Sequence, residues 1–576
     1  MRTNLSNKSG LTGTALITVV VIISASLLVL GATLTWMSQN TTYTHRYNQY
    51  TRTVAAAEGA TEKVIVNINN DYKLLGQGYV LKNLDKYRAM VPTKAENRAW
   101  AYYRFTDANN QGGRVNIEYI NSSNLTTISS QYKGLLGFPS TFRVTARAQE
   151  LNSPVTVKGA VEQQVQVSLI PLYQFAMFYN LDYECTALPL MTVNGPVHCN
   201  GDVYLTPHTG LTFNNDLTSS KKILRSAKTG NSVPGTGPVT YKGAHDGGVS
   251  TLSLPIGTNN SIAAVRQVIE VPPPTEDPLS SLGQQRFYNK ADMLILVSNS
   301  TIYACSGRFN NFGLPLHVDV TNFVKTNVTF TNGREGKTVR CTEIDIQKLA
   351  SWNNPVLNPT NLLRPLLLVQ RGVADVRVIY VADFRTQLSS TQPGIRLING
   401  QTNLPSGLTI VSPHPVYIKG HYNCPTVGLL GTTNTTTTVP CSIVADAITV
   451  LSSAWNDGSS GLALSSRVAV NTTVNAAFVA GIVQTSTTLG YSGGVENFPR
   501  FLEDWNGRTS TYNGSMVVMF ESKYATNKWA GIGGYYNPPA RNWSFDTNFR
   551  DPLKLPPATP AAAALVRGKW ALTAAN

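Results

Sequence analysis

Charge is scarce in this chain: Asp, Glu, Lys and Arg together make up 14% of 576 residues. That argues against a helical bundle, whose solvated faces need charge at every turn. Acidic groups are the scarcer kind, 32 against 47 basic ones, so the formal charge is +15. Such an excess favours acidic surfaces: phospholipid headgroups, anionic envelope polymers or nucleic acid. Yet the basic residues stand singly, even in the stretch around Lys221 to Lys228. Without a basic block, a specific nucleic-acid site is not expected. Catalytic signatures are missing too. No GxxxxGK[ST], no strand-to-helix GxGxxG and no HExxH occurs, leaving nucleotide and zinc-protease chemistry without support. Cysteine is sparse, and Cys185, Cys199, Cys305, Cys341, Cys424 and Cys441 form no CxxC and no zinc-type Cys/His spacing. No metal or cofactor is therefore expected. In an oxidising compartment Cys185/Cys199 and Cys424/Cys441 could close loops as disulfides. Buried thiols are the equal alternative.

What is present begins with a long apolar run. No residue between Lys8 and His45 is charged, and Ala15 to Met37 is long and apolar enough to cross a bilayer as a helix. Arg2 and Lys8 precede it, so the positive-inside tendency keeps the N-terminus cytoplasmic and sends everything after Met37 outward. A secretory peptide would be shorter and would end in small residues at a cleavage site. Here apolar residues instead recur at three- and four-residue steps through Val54 to Val66, with Glu58 and Glu62 one turn apart. The membrane helix is expected to continue as an amphipathic stalk.

The stretch TGTALITVVVIISASLLVLG, a polar interval and then AAAEGATEKV together resemble the N-terminus of PilX-type minor pilins and the tip pseudopilin of type II secretion. The likeness runs from the N-terminus as far as Asn70 or so. It implies a prepilin-peptidase cut after Gly13, with Thr14 as the first mature residue and Thr18 as the fifth; Gly10 is the alternative cut. Major pilins carry a glutamate at the fifth position, and Thr18 stands there instead. Tip and minor pseudopilins often lack that glutamate, so the resemblance implies an initiating or accessory subunit in a bacterial inner membrane. Its partners would be other pilin or pseudopilin subunits, and its body would lie in the periplasm or on the cell surface.

With 45 glycines and abundant Thr, Ser and Asn, the body reads as mainly β. Alternation in RVNIEYI, FRVTARAQEL and VTVKGAVEQQVQVSLI predicts a small antiparallel β subdomain with one wet face. In PilX-like proteins a similar strand pair follows the stalk. From Met191 short apolar pairs alternate with turns at Asn194-Gly195 and Asn200-Gly201. Comparable segments at 394–423, 441–452 and 474–483 read as layers of a parallel β-helix-like solenoid, or of a β-sandwich with insertions.

The expected divisions are a leader at 1–13, a pilin-like helix at 14–72 and a β subdomain at 73–180. They continue with solenoid segments at 181–269 and 286–487, a Pro-rich break at 270–285, and a cap and tail at 488–576. Within the last, Phe498 to Trp505 reads as a short helix before a capping strand.

Three groups of carboxylates are close enough in sequence to be considered as catalytic dyads: Asp182 with Glu184, Glu496 with Glu503 and Asp504, and Asp546 with Asp551. None has a distinctive setting, and no residue is expected to be catalytic. His198 beside Cys199 would point to the opposite face of a strand. His414 and His421 read as surface or turn residues rather than metal ligands. The leading expectation is a structural pilin-like subunit. The runner-up is an anchored protein that binds or degrades envelope polysaccharide, with candidate groups near Tyr491 to Asp504. A third is a bactofilin-like polymer, from the VNGPVHCNGDVYL texture.

Overall fold

The computed structural model describes residues 12–121, 126–128, 135–153, 155–186, 189–306, 319–354, 375–529 and 534–574. The chain is mainly β, with a long apolar helix at its N-terminus. That helix, Thr12–Leu75, runs unbroken for 64 residues. Every residue from Ala15 to Asn48 is exposed, Leu16, Ile22, Leu28 and Trp36 among them. Its apolar window has a mean hydropathy of 2.7 with none of it buried, and the helix is long and apolar enough to span a membrane. The run from Ala15 to Met37 rises about 35 Å at ~1.5 Å per residue, matching a hydrocarbon core of ~30 Å.

Beyond Gln49 the same helix changes solvent. Ala56, Ala57, Ala60, Val64, Ile68 and Tyr72 lie on one buried face, and the three alanines let the helix settle closely onto a sheet. The strands Tyr103–Thr106, Leu136–Glu150, Lys158–Pro171 and Ala561–Leu572 follow one another in that antiparallel sheet. Asn116–Asn121 and Thr126–Thr127 also pair with Leu136–Glu150. Alternation turns Phe142, Val144, Ala146 and Ala148 under the helix, as the sequence led us to expect. The subdomain is not contiguous, however. Its last strand comes from the far C-terminus, where Arg567 reaches Glu62 on the helix at 2.8 Å.

Past Pro171 the pairing within the body becomes mostly parallel, although Met293–Val297 with Ile302–Ser306 and Val324–Asn332 with Lys337–Asp345 are antiparallel pairs. Met177–Tyr179, Val197–Cys199, Leu217–Ser219 and His245–Gly247 stack as one ladder. Tyr183–Cys185, Val203–Leu205 and Ile223–Leu224 form a second, and Met191–Val193, Leu211–Phe213 and Val239–Tyr241 a third. Met177 faces Val197 and Val197 faces Leu217 at equal steps, and the last step, Leu217 to His245, is longer, so these layers are narrow and nearly regular. The later ladders are wider. Val378 faces Thr409, Thr409 faces Ser442, Ser442 faces Ala477 and Phe478 faces Met516, each step longer than the one before.

The two stretches meet strand to strand: Met516–Glu521 pairs with Met177–Tyr179, completing an eleven-stranded sheet. This changes three expectations. Met516–Glu521 lies inside the sheet as the splice between stretches, so 491–525 does not cap an end. Phe498 to Trp505 is not helical; Pro499–Arg500 joins the ladder beside Ile448–Leu451. The Pro-rich 270–285 segment is no break between two bodies. It belongs to a covering layer that packs Val265, Val268, Ile269, Phe287 and Tyr288 against Leu294, Tyr380, Val444 and Phe520 on the eleven-stranded sheet. Apolar burial of ~25 cal/mol per Å² outweighs the proline signal there. In the tail, Ala540–Phe545 pairs with Thr509–Gly514.

Candidate functional site

Gly13 lies in the first turn of the helix, the Thr14 side chain and Gly10 lie outside the described residues, and Thr18 sits on the exposed apolar half. The six cysteines are all buried, and no disulfide joins them. Cys185 and Cys199 sit on different ladders, and the Cys199 thiol donates to the Leu181 carbonyl at 3.1 Å. Burial pushes Cys199 and Cys441 up to about 12, which leaves them protonated and inert near neutrality. The loop-closing disulfides are thus replaced by core thiols. Among the described residues, no three His, Cys, Asp or Glu side chains converge as a metal site.

Most candidate carboxylates hold turns. Asp182 accepts the Asp202 amide at 2.9 Å and pairs with Lys228 at 2.8 Å. Glu503 takes both the amide and the hydroxyl of Ser452 at 2.6 Å. Asp504 accepts from the Asn537 side chain at 2.8 Å. Asp546 accepts from Thr435 at 2.7 Å and from the Asn548 amide at 3.0 Å, while Asp551 caps Leu553. His198 and Cys199 do part to opposite faces. His198 stacks on Phe178 and bonds Thr218 at 2.9 Å and Asn200 at 3.0 Å. His414 is buried rather than at the surface, accepting the Asp383 amide at 3.0 Å and touching the Tyr524 hydroxyl at 3.1 Å.

Glu496 is different. It lies in the wall of a pocket of about 570 Å³ with Tyr491, Trp529, Tyr536, Arg541, His208 and Thr186, within the ~300–1,000 Å³ range of small-molecule sites. The pocket opens at the seam of the two stretches: Thr186 and His208 come from the narrow layers, the others from the wide ones. Trp529 is half-buried; its ring meets Tyr491 edge-on at 5.2 Å and 86°, and its indole nitrogen donates to the Tyr536 hydroxyl at 3.1 Å. Arg541 lies 5.3 Å over the Trp543 ring and donates to the Glu496 carbonyl at 3.0 Å. Tyr491 donates to the Glu496 carboxylate at 3.4 Å.

Gly494 makes this arrangement possible. It adopts φ +55, and a Cβ there would fall 2.6 Å from both the Glu184 carbonyl and the Tyr491 hydroxyl, a backbone approach only glycine permits. Burial holds the Glu496 carboxyl up at about 7, with Arg541 pulling it down less strongly. Near neutrality the group therefore both donates and accepts hydrogen bonds. Burial also raises Glu184, which accepts from Asn231 at 3.1 Å. The sequence pointed to Tyr491 and Glu496 as part of an aromatic and acidic cluster. Trp529, Tyr536, Arg541, His208 and Thr186 carried no local signal that would have joined them to it.

No protein-family model, curated protein or solved structure matches the chain.

Proposed function

We propose that the protein is a pilin-like accessory subunit, held in a bacterial inner membrane by its N-terminal helix, that helps to assemble a type IV pilus or a type II secretion pseudopilus. One observation carries the reading. A single unbroken helix exposes an apolar half that fits a bilayer or a filament core, and it packs its other half on a small antiparallel sheet. The C-terminal strand returns to that sheet, so the anchor and the body are tied together at both ends of the chain. We read the three-ladder body as a parallel β-helix that projects into the periplasm or onto the cell surface, where its role is structural or adhesive.

Thr18 at the fifth mature position agrees with an initiating or accessory subunit. The net charge of +15 suits a body that works beside anionic envelope polymers. The last narrow layer ends in the exposed, polar strand His245–Gly247, an edge that discourages end-to-end stacking and so disfavours the self-polymerising scaffold.

Mass spectrometry of the mature N-terminus from native membranes tests the assignment, using the natural chain and a Gly13→Ala variant. A start at Thr14 that disappears in the variant supports a processed pilin-like subunit. An intact Met1 in both defeats it and leaves a plain anchor.

A further inference from the structure

We infer that the pocket at the seam binds a saccharide ring, seated on Trp529 and held at its rim by Glu496, Arg541 and His208. The argument rests on what these groups accept together. A pyranose has apolar C–H faces and a rim of hydroxyls, each of which both donates and accepts. Trp529, backed at right angles by Tyr491 at 5.2 Å, supplies an aromatic wall for the face. Pro189, Pro538 and Pro539 complete the apolar lining.

Charge then narrows the ligand. Arg541 offers only donors, and its positive charge repels a cation. Glu496 shares the same wall and, when ionised, repels an anion. A neutral hydroxylated ring satisfies both. The raised carboxyl of Glu496 adds to the fit, because a half-protonated group can exchange donor and acceptor roles with a hydroxyl. The cavity of about 570 Å³ has room for a ring rather than an ion alone. The site does not depend on how the N-terminus is processed, so the two proposals fail separately.

The test uses the full chain in a detergent that has no sugar headgroup, with saturation-transfer NMR and titration calorimetry. The probes are methyl glucoside and N-acetylglucosamine, with choline and glucuronate as cationic and anionic comparators. The expected result is saturable binding of at least one neutral ring, with a Kd of about 1 mM or tighter. Trp529→Ala should weaken it about tenfold or more at an unchanged thermal midpoint. Glu496→Gln should remove the dependence of binding on pH near 7. If Trp529→Ala fails to fold, Trp529→Phe with Glu496→Gln carries the same comparison. No binding of either neutral ring overturns the inference. So does preferential binding of choline or glucuronate, or neutral-ring binding that survives both substitutions.

Discussion

The narrow and wide stretches of parallel ladder hold their layers together with different chemistry. From Met177 to Gly247 the joining groups are mostly short and neutral, and like stacks on like. Asn200 donates to Asn180 at 2.9 Å, Asn214 to Asn194 at 2.6 Å, and Thr186 meets Thr206 at 3.1 Å, each 20 residues apart. In the wide stretch the insertions fold back and bury charge. Arg266 pairs with Asp446 at 2.7 Å, Arg396 with Glu343 and Asp457 at 2.6 Å each, and Arg500 with Glu335. The difference teaches that layer length selects the glue. A narrow layer has room only for strands and turns, so each turn position repeats above itself. A wide layer carries loops whose arginines reach inward, and buried charges persist only when paired.

The strongest way to break this comparison is to strand a buried charge. Asp446 is fully buried and takes the Arg266 guanidinium, the Ser522 hydroxyl and the Lys523 amide. Asp446→Ala is expected to cost about 3–5 kcal/mol, read from the denaturant midpoint. An equal loss from Asp202→Ala in the narrow stretch would remove the distinction.

Next is the narrow stretch's own joint. Asn200 bonds Asn180 and both the amide and carbonyl of Leu252, so Asn200→Ala should cost about 1–3 kcal/mol by the same measurement. Gly195→Ala should fall in the same range, about 1–3 kcal/mol. Gly195 has φ +101, and a Cβ would come 2.8 Å from that of Ala176.

The pH dependence sharpens the comparison because each stretch buries one imidazole. Burial lowers His198 and His414 from 6.5 to about 4. Their neutral forms are favoured in the folded protein, so their contribution is present above pH 6.5 and lost as pH falls through about 4. Thermal unfolding between pH 7 and 4 should show acid lability that weakens in His198→Gln. Glu496 at the seam has the opposite sign. Its pKa is raised from 4.5 to about 7, so its contribution is present below pH 4.5 and lost as pH rises through about 7. Glu496→Gln should flatten that limb.

The smallest effect belongs to an ionic contact of the narrow stretch. Lys228 and Asp182 keep 16% and 21% of their side-chain surface in water, so Lys228→Met should change stability by less than about 1 kcal/mol. A loss comparable with Asp446→Ala would show that charge matters equally in both stretches.

Much of this was legible locally. The membrane-length helix follows from the run Ala15 to Met37, and the strands of the antiparallel sheet follow from alternation through Phe142, Val144 and Ala146. The layer period was not. The even steps of the narrow stretch persist through only a few layers of very short strands, and the wide steps lengthen from one layer to the next, so no fixed repeat reaches the sequence. The site was half legible: Tyr491 and Glu496 are near neighbours in the chain, whereas Arg541 is distant from them in sequence and His208 meets them only across the seam.

The sequence by itself determined the long N-terminal helix, the mainly β character of the body and the strands of the antiparallel sheet, because apolar periodicity and turn chemistry act over a few residues. It also determined that one end is apolar enough for a bilayer. Tertiary structure alone decided that Met516 pairs with Met177, that the final strand returns to the first sheet, that the cysteines stay apart and that an aromatic pocket forms around Glu496. Those outcomes depend on which distant surfaces bury one another best, and burial is a property of the assembled chain rather than of any stretch of it.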